Sequence, residues 1–139
     1  MLRELLKRLV PTGGAAAQPA LSRGRQDEAA DSLIAEGNRA ENDGRLREAC
    51  EYYRRAVGAA PGYARAHLNL GIGLEAAGDA EGALKSYESA LACDPADAYA
   101  NYNLAKLLSA RGELARAERL LDTALERKQG WVAEHNAVI

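Results

Sequence analysis

The chain has 139 residues, a net charge of −2 and an apolar fraction of 47% that leans on alanine and leucine. That length is one domain's worth of chain. The near-neutral balance excludes a global electrostatic preference for nucleic acid or acidic substrates, and 5% aromatic residues without any Phe argue for helix packing rather than a sheet.

The charge is uneven along the chain. Residues 1–26 carry Arg3, Lys7, Arg8, Arg23 and Arg25 against Glu4, whereas the remainder is acidic. Within Met1–Val10, Leu2, Leu5, Leu6 and Leu9 recur at helical spacing, which predicts a short basic amphipathic helix over residues 1–10, ended by Pro11. It is too short and too charged to span a membrane. Its apolar stripe needs a surface: the chain's own body, a second copy, or a part of the protein beyond this sequence. Residues 11–26, with Pro11, Gly13, Gly14 and Pro19, read as a flexible linker, and the first long helix is expected to start near Ser22–Asp27.

From residue 30 onward the chain repeats itself every 34 residues. Gly44, Gly78 and Gly112 are in phase, as are Ala49, Ala83 and Ala117, then Ala56, Ala90 and Ala124. Tyr53, Tyr87 and Leu121 share a position, and so do Pro61 and Pro95. Each copy predicts two helices, in the second copy Ala64–Ala77 and Glu81–Ala92. Leu70, Leu74 and Ala77 form one stripe and Ala83, Leu84, Tyr87, Ala90 and Leu91 the other. Gly78 suits a left-handed helix end, Asp79 can cap the next helix, and Asp94-Pro95 stops it. The small residues are expected at close helix contacts, Gly71 against Ala83, with Gly37/Ala49 and Ala105/Ala117 as equivalents. Ala90 and its counterparts are expected where one repeat meets the next. Gly130 is expected to break the chain, with a truncated seventh helix from Trp131. A solenoid normally ends in a polar capping helix, so the natural protein is expected to continue past Ile139.

This pattern resembles the tetratricopeptide repeat (TPR) family. Copy one, residues 30–63, has Leu33, Glu36-Gly37, Ala40, Ala49, Tyr53, Ala56 and Pro61 at the family's signature positions. Copy two, 64–97, has His67, Leu70-Gly71, Leu74, Ala83, Tyr87, Ala90 and Pro95; copy three, 98–131, has Asn101, Leu104-Ala105, Leu108, Ala117, Leu121, Ala124 and Gln129. Residues 132–139 form a partial fourth copy. The resemblance implies an all-α, right-handed helix–turn–helix solenoid over residues 27–139. It implies that Glu36 and Ala40 weaken a solvent-facing outer side of copy one.

By family geometry the first helix of each copy lines a concave groove. The residues placed there include Asp31, Ile34, Asn38, Glu41, Leu68, Asn69, Ile72, Glu75, Tyr99, Tyr102, Asn103, Lys106 and Ala110. The peptide-binding set is Asn38, Leu68, Asn69, Ile72, Tyr99, Tyr102, Asn103 and Lys106. Asparagine amides both donate and accept, as a peptide backbone does, and tyrosines add contact area at low entropic cost. TPR domains that clamp the C-terminal carboxylate of heat-shock chaperones use two asparagines and three cations. Asn38 and Asn69 match, but Ile34, Tyr99 and Asn103 stand where the cations would be, so that clamp is not expected. Asn69 and Asn103 also resemble the asparagine ladder in the TPR arms of O-GlcNAc transferases, a family found in bacteria.

No catalytic constellation, phosphate loop or metal-ligand spacing occurs. The two histidines, His67 and His135, share one repeat position and read as packing residues, whereas Cys50 and Cys93 fall at different positions on second helices and read as reduced thiols. The sequence therefore points to a cytoplasmic, non-enzymatic protein-interaction module without cofactor or metal that binds a protein or peptide. The alternatives are a substrate-presenting arm of a glycosyltransferase or sulfotransferase, and a scaffold that self-associates through the Leu2–Leu9 helix or its C-terminal end.

Overall fold

The computed structural model describes the backbone of residues 22–136 and the side chains of residues 22–128. The predicted Leu2–Leu9 helix, most of the linker and the last three residues lie outside them. Six helices follow one another: α1 Arg23–Asn42, α2 Leu46–Ala59, α3 Ala64–Ala76, α4 Ala80–Cys93, α5 Ala98–Ala110 and α6 Leu114–Asn136. They pair as α1/α2, α3/α4 and α5/α6, and each pair packs on the next. The result is an all-α helical-repeat solenoid in which packing is between neighbours.

The turns within each pair follow from their glycines. Gly44, Gly78 and Gly112 have φ of 76°, 87° and 80°, a region closed to most L-residues by their Cβ. In the second pair the Asp79 N–H reaches back to the Leu74 carbonyl at 2.8 Å and the Gly78 N–H to Glu75 at 3.0 Å. The last carbonyls of the helix are thereby satisfied. The Asp79 carboxylate then accepts from the Gly82 N–H at 2.9 Å, capping α4 as predicted, and Asp97 does the same for Ala100 at 2.8 Å at the start of α5. Asp94 accepts from the Ala96 N–H at 3.1 Å in the turn that ends α4.

Two expectations change. α6 runs straight through Gly130 to Asn136, so Trp131 does not open a helix of its own. A lone glycine costs a helix only about 1 kcal/mol, which the residues around it can outweigh. The small-residue contacts also have different partners from those predicted. A Cβ built on Gly71 falls 2.5 Å from the Tyr87 ring, and one on Gly37 collides with Tyr53. At both positions the glycine makes room for an aromatic ring. Gly73 fits the other side of Tyr53, where a Cβ falls 2.8 Å from the ring. Tyr53 is thus held between its own repeat and the next, and both Tyr53 and Tyr87 are fully buried. Ala83 and Ala117 are buried as expected, as are Ala56 and Ala90.

Candidate functional site

The groove predicted along the first helices divides once the side chains are placed. Position 5 of the repeat shows why. Ile34 is 1% exposed, Leu68 is 8% exposed and Tyr102 is 55% exposed. Leu68 belongs to the core around Leu74, Ala83 and Tyr87, and therefore presents little to a ligand, although helical spacing places it with Asn69 and Ile72. The same repeat position is core in the first two repeats and exposed in the third.

The asparagines divide too. Asn69 donates one amide N–H to the Arg65 carbonyl one turn back, at 2.8 Å, so one of its two donors is used within its own helix. Asn38 lies 2.8 Å from the Tyr53 hydroxyl, which also lies 2.6 Å from Glu41. One phenol proton cannot serve both oxygens. Turning the Asn38 amide over lets its nitrogen donate to the phenol while the phenol donates to Glu41. Asn103, by contrast, lines a shallow groove with Ile72, Glu75, Ala76, Tyr87 and Lys106. Lys106 spans two repeats there, its Nζ 2.9 Å from Glu75. The groove has an apolar floor at Ile72, an amide at Asn103, and a cation and a carboxylate that neutralise one another. Tyr99 and Tyr102 line a separate groove with Leu121, Leu125, Arg127 and Lys128.

Three sets of contacts join side chains that the sequence pattern leaves apart. Tyr53 bonds Glu41, and Tyr87 bonds Glu75 at 2.8 Å. Burial, reinforced by the adjacent carboxylate, pushes both phenols above their ordinary range. Across the first junction, Tyr63 donates to Asp31 at 3.0 Å and Arg65 pairs with it at 3.1 Å. At position 4, His67 lies 2.7 Å from the Pro61 carbonyl and Asn101 donates to that of Pro95 at 3.0 Å, so His67 is a packing and bridging residue. A usable signal existed for the first of these. Gly, Glu and Tyr occur together at positions 8, 12 and 24 in copies one and two, and copy three replaces all three, with Ala105, Ser109 and Leu121.

Ala40 was expected on a weakened outer side, but it is buried against Ala49 and Tyr53. Glu36 does face solvent, paired with Arg39 at 3.0 Å. Cys50 is buried, which raises its thiol pKa. Among the described residues no group of three His, Cys, Asp or Glu side chains comes together as a metal site. No described helix is long and apolar enough to cross a membrane.

The tetratricopeptide repeat family matches the chain twice, over residues 34–98 and 74–138. The chain belongs to the TPR family. No curated protein matches it. Among solved structures, this TPR chain is similar to the second TPR of Spaghetti (RPAP3) bound to an HSP90 peptide. The two share 22% identity and a TM-score of 0.67 over 74% of this chain and 94% of that one. It is similar to MamA at 20% identity and a TM-score of 0.69, covering 76% of this chain and 61% of MamA. It also resembles the type III secretion translocator chaperone SycD of Yersinia enterocolitica, at 25% identity and a TM-score of 0.65 over 72% and 76% of the two chains.

Proposed function

We propose that this TPR chain is a protein-interaction module that holds a peptide segment in the groove of Ile72, Asn103 and Lys106. The observation that carries the proposal is the composition of that groove: an apolar floor, an amide able to donate and accept, and a charge pair that is already balanced. Such a surface suits an uncharged, extended peptide whose backbone supplies the complementary donors and acceptors. Its TPR neighbours support peptide binding as the role, since the Spaghetti domain was captured with the peptide SRMEEVD. The ligand here differs from that acidic terminus. Tyr99 and Asn103 stand where the carboxylate clamp has cations, and Ile34, at the third such position, is buried.

A peptide-array screen followed by calorimetry tests this reading. Asn103→Ala removes one neutral hydrogen-bonding group and is expected to weaken binding by roughly 2- to 13-fold, from about 0.5–1.5 kcal/mol per bond. Asn69→Ala is expected to weaken it less, because one of its two amide N–H donors is already used within α3. Equal binding by wild type and Asn103→Ala would remove the peptide from this groove.

A further inference from the structure

The last repeat presents a second groove, lined by Tyr99, Tyr102, Leu121, Leu125, Arg127 and Lys128 together with Ala98 and Ala124. Tyr99 is 73% exposed, Leu125 55% and Leu121 38%. We propose that this groove is the docking site for an acidic amphipathic helix of a partner protein.

The repeat itself shows what shape such a groove accepts. At the two internal junctions the second helix of one repeat packs on the first helix of the next, α2 on α3 and α4 on α5. The incoming helix buries an alanine, Ala66 or Ala100. It also sends a side chain, His67 or Asn101, to the carbonyl of a proline in the preceding repeat. Leu121, Ala124 and Leu125 hold the positions of Tyr53, Ala56 and Val57, and of Tyr87, Ala90 and Leu91. The apolar floor that receives a helix at the internal junctions is therefore repeated at the last one.

Charge selects the occupant. The rim residues are Ala59-Ala60 and Cys93-Asp94 at the internal junctions but Arg127-Lys128 at the last, and among the described residues no carboxylate lines the groove. Two cations beside an apolar trough favour a helix with Asp or Glu flanking its apolar stripe. The same cations disfavour the chain's own Met1–Val10 segment, which carries Arg3, Lys7 and Arg8. A second copy docked groove to groove would set Arg127 and Lys128 against their own kind. A second copy docked head to tail would offer the outward residues of α1, Ser32, Glu36 and Arg39, which contain no apolar stripe.

The test uses the full chain and two labelled synthetic helices with one common Ala/Leu stripe, flanked by Glu in one and Lys in the other. Fluorescence anisotropy is expected to show the Glu helix binding about tenfold tighter at low salt, a preference that shrinks as salt screens the pairs. The Arg127→Glu/Lys128→Glu variant is expected to reverse the preference, and Tyr102→Asp to abolish binding of both helices. Asn103→Ala is expected to leave it unchanged, which separates this site from the peptide groove. Circular dichroism checks that the variants stay folded. Equal affinity for the two helices overturns the proposal, as does binding that survives Tyr102→Asp. It is also overturned if sedimentation finds a dimer that Tyr102→Asp dissolves, since a second copy is then the occupant. Binding that emerges only when Met1–Val10 is deleted assigns the groove to that segment and overturns it as well.

Discussion

Tyr53 and Tyr87 are fully buried, each fitted against a glycine and bonded to a carboxylate; Leu121, in the same position of the third repeat, stands at the edge of an open groove. The opposite end of the solenoid differs again. Positions 3, 7 and 10 are Ala66, Leu70 and Gly73 in the second repeat, where they pack on the first repeat, but Ser32, Glu36 and Arg39 in α1. Among the described residues the outward face of α1 is polar and the outward groove of the last repeat is apolar. The difference teaches that burial in a solenoid belongs to junctions, not to residue types. A position costs or gains according to whether a neighbouring repeat covers it.

The largest expected effect comes from emptying a closed junction. Tyr87→Ala is expected to destabilise the domain by about 3–5 kcal/mol, the range for deleting a buried aromatic side chain. Leu121→Ala, partly solvated already, is expected to cost about 1 kcal/mol or less. Urea melts of the two variants check this, and equal losses would show that the third repeat is as closed as the second.

Alkaline titration probes the same pair of tyrosines. The native state raises both phenols, so it holds their protons at a pH where the unfolded chain has released them. The stability they contribute is present below the ordinary tyrosine pKa of about 10 and is lost as pH rises above it. Each buried phenol is expected to steepen that loss by about 1.4 kcal/mol per pH unit. Thermal melts from pH 9 to 11 check the slope, which Tyr53→Phe and Tyr87→Phe are each expected to reduce.

Gly71→Ala is next in size. Replacing a mid-helix glycine with alanine gains about 0.5–1 kcal/mol in an open site, but here the new Cβ meets the Tyr87 ring and overpacking costs about 1–3 kcal/mol. The net effect is destabilising. Tyr87→Leu in the same chain is expected to relieve part of it, since Ala105 with Leu121 is already the third repeat's combination. A double-mutant cycle measures that coupling. The smallest effect belongs to the open end, where Tyr102→Ala is expected to change stability by no more than about 0.5 kcal/mol. A thermal melt that shows a larger loss would mean that this face is covered.

The repeat register, the three left-handed glycine turns and the cap at Asp79 were all readable from the chain. They are local requirements, set by backbone sterics and by hydrogen bonds a few residues long, and the 34-residue period states the glycine turns three times over. The binding residues were less legible. Helical spacing says that Leu68, Asn69, Ile72 and Asn103 belong to first helices, but it does not say which flank the next helix covers.

The sequence by itself therefore determined the helix count up to α6 and the pairing of helices, because each depends on spacing and residue type alone. It misjudged Gly130, where a helix absorbs a single weak residue. Only the tertiary structure decided that Gly71 makes room for Tyr87, that one Asn69 N–H is bonded within α3, and that Leu68 is core while Tyr102 is surface. Those outcomes depend on which side chains reach the same volume from different helices, and that competition is settled by packing across junctions.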